Sequence, residues 1–430
     1  MNLQNGTGRI EQILLSLKRS NKPGFYYDDE NSIMVCVKIK KNPNGLNTAE
    51  VNIPDGYRFA SICVGSFSEG TCTLTISGGK DLETLNTTEC DNVHVNIREL
   101  SIKVFRIATV RPRDISLMGE VHTLIAYDLD IGDELLPESV RELRCWSLPE
   151  NLDKSWVQKL NFRNNPHNSI PESAEEITCI GSNPGDLPIG LLKLDIVSDG
   201  NINLQDQCPN LRHLTVGIAG VEFFSVEDCP RTLESLEFVN HGLSVPRCDH
   251  LDLSEFVNMT ELVMPTKISI GTFTPPPCLD VLTIEMQEVI HVDEHFRELI
   301  SKIGYVNKIV ARNVREHSFQ VLTEFMFGVL FLEEMPAFDV SHSPFPVVIL
   351  NTAFGCSNYT RPYEHRGLIT IVDSPDNIYR ADGDTIEINS QSGQYSIVGR
   401  ETIDGPNGKL NVIHLIDQIC YVPNAKSARK

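Results

Sequence analysis

The sequence offers no continuous apolar run of about 18 residues, so nothing in it reads as a membrane-spanning helix. Its 12 cysteines never form a Cys-x-x-Cys pair, which removes the spacing expected of a structural zinc site or a thioredoxin-like redox pair. Basic residues are in short supply. Lys and Arg number 37 against 58 Asp and Glu, a formal net charge of −21, and no basic block is present. A nucleic-acid binder needs concentrated Lys and Arg to displace counterions, and an anionic membrane surface recruits the same residues. Neither nucleic acid nor membrane insertion is expected. Residues 1–20 lack the apolar centre of a secretion signal. The expectation is therefore a cytoplasmic protein with reduced, mostly buried thiols. Four Asn-x-Ser/Thr sequons, at Asn5, Asn86, Asn258 and Asn358, are no more than chance supplies in an Asn-rich chain.

What is present is a repeat. Short stretches in which one apolar residue follows another two positions later recur at Leu143, Leu160, Ile177, Leu194, Leu214, Leu236, Leu262 and Leu282, at intervals of 17, 17, 17, 20, 22, 26 and 20 residues. Leu100 and Leu124 extend the series upstream and Ile309 downstream. Such periods signal a solenoid. Each unit offers one strand that cannot bury its apolar face alone; stacking the next coil about 4.8 Å away covers it and pairs its backbone. A 17-residue coil leaves no room for an ordinary helix on the return path, whereas the longer coils can hold a helical turn. Prolines recur just ahead of the strands, in LPESVREL, IPESAEEI, LPIGLLKL, CPNLRHL and CPRTLESL, where an extended return segment accepts them.

LRHLTV (Leu211, Leu214, Val216) and LESLEF (Leu233, Leu236, Phe238) carry the pattern Leu-x-x-Leu-x-apolar. On these residues the chain resembles the leucine-rich repeat superfamily over about residues 95 to 310. The resemblance implies an α/β repeat solenoid, mostly β, with a parallel strand ladder, helical caps and a β-rich C-terminal region. It also implies that Cys208, Cys229, Asn258 and Cys278 are buried ladder positions. A parallel β-helix is the alternative, since its coils need the same buried ladder. The expected organisation is a capping helix over 1–20, a β-rich segment over 21–95 that either precedes the solenoid or forms its first irregular coils, the solenoid over 96–312, a helical cap over 313–345, a β-rich region over 346–422 and a disordered tail over 423–430. The cap at 313–345 rests on SFQVLTEFMFGVLFL, which is apolar nearly all round.

Signals for catalysis are few. His291, Glu294 and His295 fit His-x-x-Glu-His, in which two His share a metal and the Glu takes a proton from bound water. Asp293, however, is placed to cap a helix beginning there, and His291 would then precede that helix. YDLDIGDE lacks the ordered ligand series of a calcium loop, and SGGKD lacks the glycine spacing of a phosphate loop. No catalytic residues and no cofactor are expected.

The remaining signal is the outward set on the ladder, the residues alternating with the core: Glu142, Arg144 and Trp146; Lys159, Asn161 and Arg163; Glu176 and Thr178; Lys193 and Asp195; His213 and Thr215; and Glu237. A polar face with aromatic anchors is what interfaces use, and Trp146, flanked by Arg144 and by Arg163 of the next coil, is the strongest anchor. The expected function is a protein-interaction scaffold or adaptor whose partner is another protein. The alternatives are a surface or secreted recognition protein and a hydrolase, either zinc-dependent or a carbohydrate-active β-helix.

Overall fold

The computed structural model describes residues 24–29, 31–39, 47–64, 72–90, 93–181, 184–197, 204–217, 225–239, 247–265, 269–285, 297–298, 301–312 and 322, together with strands at 327–333, 347–350, 369–372, 379–381, 384–386, 396–405 and 408–416. The helix expected over 1–20 and the tail over 423–430 lie outside the described residues. The chain divides into two units, Met1–Ile202 with Asp206–Leu211, and Asn203–Gln205 with Arg212–Lys430.

The first unit opens with an antiparallel pair, β1 (Gly24–Asp29) on β2 (Ser32–Val37). From β2 a parallel ladder runs through β4 (Phe59–Val64), β6 (Thr84–Glu89), β8 (Ser101–Val110), β9 (Glu120–Leu129), β10 (Glu142–Cys145), β11 (Lys159–Phe162), β12 (Glu176–Ile180) and β13 (Lys193–Val197). Its register stacks Ile33, Ala60, Leu85, Phe105, Leu124, Leu143, Leu160, Ile177 and Leu194 in one column, none more than 3% exposed. Alternation puts every second side chain inside, so one aliphatic per strand at a fixed register builds a continuous core.

Coil length decides how the chain returns. Over residues 32–110 each return segment is itself a strand, and β3 (Asn47–Ile53), β5 (Cys72–Gly78) and β7 (Val93–Asn96) form a second parallel ladder. It buries Val51, Ile53, Leu74, Ile76 and Val95. Within β7, the buried His94 ring lies 2.6 Å through Nδ1 from Asp114 Oδ1, and Asp114 Oδ2 accepts the backbone N–H of Arg111 at 2.8 Å. This pair pins the second ladder to the turn that follows β8.

The coils between Leu124 and Leu194, one of 19 residues and three of 17, have no return strand. Eight residues past each core aliphatic, the chain turns through the left-handed region, at Gly132 (φ 56°), Asn151 (65°), Asn168 (50°) and Gly185 (88°). Gly and Asn are the residues that visit this region routinely. Asn151 Nδ2 donates to the Gly132 carbonyl at 3.2 Å, and Asn168 Oδ1 accepts the Asp186 N–H at 2.7 Å, so each turn is bonded to its neighbour. A proline-led turn then re-enters the strand: Val140, Ala174 and Leu191 donate backbone N–H to the carbonyls of Pro137, Pro171 and Pro188 at 2.9, 3.0 and 3.1 Å. That turn sets Val140, Val157, Ala174 and Leu191 as a further buried column three residues ahead of the first.

In the second unit, β14 (His213–Gly217), β15 (Ser235–Val239), β17 (Glu261–Pro265), β19 (Val281–Glu285), β20 (Val306–Arg312), β21 (Phe327–Glu333), β22 (Val347–Leu350) and β23 (Ile369–Val372) form a parallel ladder. Leu214, Leu236, Leu262, Leu282 and Ile309 are its buried column. A return pair, β16 (Arg247–Asp252) with β18 (Ser269–Thr274), is also parallel. Two antiparallel hairpins follow, β24 (Tyr379–Ala381) with β25 (Asp384–Ile386), and β26 (Ser396–Gly405) with β27 (Gly408–Ile416).

Three expectations need correction. Phe327–Glu333, read from sequence as part of a helical cap over 313–345, is a ladder strand; a run apolar at every position has no period, and so does not separate helix from strand. Ladder strands also occur beyond residue 312, so that boundary does not delimit the repeat; those ahead of residue 96 are the first irregular coils, one of the two arrangements expected there. The longer coils have room for a helical turn, and single turns occur at Leu204–Gln207 and Val226–Asp228, while others carry return strands such as Asn47–Ile53 and Arg247–Asp252. Finally, Cys208 and Cys229 are buried as expected, but Asn258 and Cys278 are exposed. Both stand four residues ahead of their core leucines; the inward position is six ahead, occupied by Cys208, Phe256 and Pro276, which are buried.

Candidate interaction surface

The outward face of β9 to β13 resolves into three columns one coil apart. The first reads Thr123, Glu142, Lys159, Glu176, Lys193. Its charges alternate in sign: the Thr123 hydroxyl donates to Glu142 Oε2 at 3.1 Å, and Lys159 Nζ donates to Glu176 Oε1 at 2.6 Å. That hydrogen bond to Glu176 is the main reason the Lys159 ammonium holds its proton above the usual lysine range. The second column reads Ile125, Arg144, Asn161, Thr178, Asp195. Arg144 turns back onto Glu142, with Nη2 2.6 Å from Oε1, and the Thr178 hydroxyl reaches Asp195 Oδ2 at 3.5 Å.

The third column lies at the strand exits, three residues past each core aliphatic. It holds Tyr127, Trp146, Arg163 and Ile180, and ends at Val197, which is buried. Tyr127, Trp146 and Ile180 are 60%, 52% and 38% exposed. The Arg163 guanidinium sits 4.4 Å from the Trp146 ring centroid. The Trp146 carbonyl accepts the N–H groups of Arg163 and Asn164, each at 3.0 Å, and Ser147 bridges Asn164, so the ladder is extended past its strands at this point. Stacking on Arg163 restricts the indole while leaving half its surface to solvent; a cation over an exposed Trp is worth about 0.5–1 kcal/mol.

The expected site residues thus fall in two places. Glu142, Arg144, Trp146, Lys159, Asn161, Arg163, Glu176, Thr178, Lys193 and Asp195 share one face in the first unit. His213, Thr215 and Glu237 belong to the second, where the Thr215 hydroxyl donates to Glu237 Oε2 at 3.2 Å and His213 is exposed. Tyr127 was missed, although it stands at the same offset from Leu124 as Trp146 from Leu143.

His291, Glu294 and His295 lie outside the described residues. Among the described residues, no group of three or more His, Cys, Asp or Glu is placed to hold a metal. The buried His94–Asp114 pair is sealed from solvent and is engaged in joining two segments. Burial pushes the Cys145 and Cys208 thiols up to about 12, so neither is a thiolate nucleophile at neutral pH. No described helix is long and apolar enough to cross a membrane. No family model, curated protein or solved structure matches the chain.

Proposed function

We propose that this chain is a protein-interaction scaffold whose docking surface is the strand face of the 17-residue coils, centred on Trp146. The observation that carries the reading is the exposed Tyr127, Trp146 and Ile180 column with Arg163 stacked at its centre. Interfaces concentrate their energy in such Trp, Tyr and Arg anchors, surrounded by polar contacts that contribute little. Most side chains of the two polar columns beside it already have partners within the ladder, so the aromatic column is where desolvation by a partner gains most.

The fold reading that goes with this is leucine-rich-repeat-like. Leu211, Leu214 and Val216, and Leu233, Leu236 and Phe238, are buried together, as that repeat pattern requires. The return strands of the longer coils favour a parallel β-helix for those stretches. A cytoplasmic location and a non-enzymatic role belong to the same reading.

The test is affinity capture from native extract with the full chain as bait, against the Trp146→Ala, Arg163→Ala double variant. Loss of a partner that the wild type retains supports the reading. An identical set of captured proteins from a folded double variant places the interface elsewhere.

A further inference from the structure

A second site lies at the other end of the same strands, where the chain enters the ladder. Arg58, Glu83, Lys103, His122 and Arg141 occupy one column on successive coils, each two residues ahead of its core residue. Backbone bonds tie Glu83 to Arg58 at 2.8 Å, Lys103 to Glu83 at 2.9 Å and Arg141 to His122 at 2.9 Å. These residues line an open groove of about 1000 Å³.

The charge order here differs from that of the adjoining polar column. There, Glu142, Lys159, Glu176 and Lys193 alternate in sign. Here Lys103, His122 and Arg141 follow one another with no acid between them. Basic groups about 4.8 Å apart on neighbouring strands oppose each other. The acids of the groove already accept hydrogen bonds, and Glu83 is ion-paired. Glu83 takes both oxygens to Arg58, at 2.9 and 3.0 Å, and meets Lys103 Nζ at 3.2 Å. Glu120 accepts the Ser101 hydroxyl at 2.8 Å, and Asp81 accepts the Gly56 N–H at 2.9 Å.

Arg141, by contrast, spends one donor on a long 3.4 Å bond to the Trp156 carbonyl, and His122 meets only the Thr123 hydroxyl, at 3.3 Å. Among the described residues neither makes an ion pair. Ser139 Oγ accepts the Val121 N–H at 3.2 Å and keeps its own proton to donate. In a chain of net charge −21 three basic side chains on successive coils are a local feature, not a general property of the surface, and Arg141 is the one among them with a permanent charge and no ion pair among the described residues.

We propose that this groove binds an anionic ligand with two or more charged groups spaced at about one coil, held by Lys103, His122 and Arg141, with the Ser139 hydroxyl as a further donor. The repeat of the ladder sets the spacing of the cations, so a chain of linked anionic units matches it and a single anion does not. A condensed phosphate and an oligouronate share this chemistry. The site stands apart from Trp146 and does not depend on the scaffold reading.

Isothermal titration of the full chain with tripolyphosphate, with trigalacturonate and with inorganic phosphate tests it. One of the two linked anions is expected to bind saturably, at least tenfold more tightly than inorganic phosphate, and to weaken as salt is raised; the tighter of the two identifies the source. The Lys103→Ala, Arg141→Ala variant should lose at least tenfold, while Trp146→Ala should bind as the wild type does. Amide shift perturbations in the wild type, read at residues 101–103, 120–123 and 139–141, give a second measure that needs no variant. Absence of saturable binding by either linked anion at millimolar concentration would overturn the proposal. So would equal binding of inorganic phosphate, undiminished affinity in the double variant, or shifts confined to other residues.

Discussion

Residues 32–110 and residues 120–197 share one strand ladder yet close their coils by different means. In the first stretch the coil is long enough for a second strand, and the return ladder β3, β5 and β7 supplies aliphatics of its own, such as Leu74 and Ile76. In the second, coils of 17 to 19 residues leave room only for turns, and the return side depends on left-handed Gly and Asn residues and proline-led re-entry. Stability on the return side is therefore hydrophobic in one stretch and a matter of turn geometry in the other. The compact coils are also the ones that present the aromatic column.

The largest effects should come from the cores. Leu74→Ala in the return ladder and Leu143→Ala in the main ladder, both fully buried, should each cost about 2–5 kcal/mol in urea unfolding. A loss well under 1 kcal/mol for Leu74→Ala alone would mean that the return ladder is not core, and the contrast between the stretches would collapse.

Alkaline pH should come next. Burial raises the Cys72 thiol in the return ladder and takes Cys145 and Cys208 up to about 12, against about 8.5 in an unfolded chain. A thiol raised on folding contributes stability that is fully present below the unfolded value and is lost as pH climbs toward the folded one. Unfolding midpoints should therefore hold up to about pH 8.5 and fall steadily toward about pH 12. A Cys145→Ser, Cys208→Ser variant should show a shallower fall over that window.

Turn geometry should be worth less per residue. Asn168→Val places a β-branched residue at φ 50° and removes the bond to the Asp186 N–H, so about 1–2 kcal/mol is expected, while Asn168→Gly should keep the backbone fit and lose less. Equal costs for the two substitutions would show that the side-chain bond, not the left-handed turn, is what matters. The smallest effect belongs to the surface. Lys159→Ala breaks an exposed pair with Glu176 and should change stability by no more than about 1 kcal/mol.

Much of this was legible in the sequence because the 17-residue interval is regular. Leu143, Leu160, Ile177 and Leu194 were read as successive rungs and stand directly opposite one another. The stacking of Arg163 on Trp146 follows from the same register. The left-handed column was equally readable, since Gly132, Asn151, Asn168 and Gly185 lie eight residues past the core aliphatics, but turn residues were not aligned with the repeat. Return strands such as Cys72–Gly78 alternate just as ladder strands do, so alternation alone could not say which ladder each joins. Asn258 and Cys278 misled because a small polar or thiol side chain suggests an inward turn position, while two residues of offset decide which way it faces.

The claim beneath both proposed sites is that successive coils are in register. Cysteines introduced at Asn161 and Thr178, on the outward face of adjacent coils, should be about 4.8 Å apart, within reach of a disulfide. Cysteines at Asn161 and Asp195, two coils apart, should be at about twice that spacing. Mild oxidation followed by peptide mapping should link the first pair and leave the second unlinked. Linkage of the second pair in preference to the first would contradict the register, and with it both surfaces built on these coils.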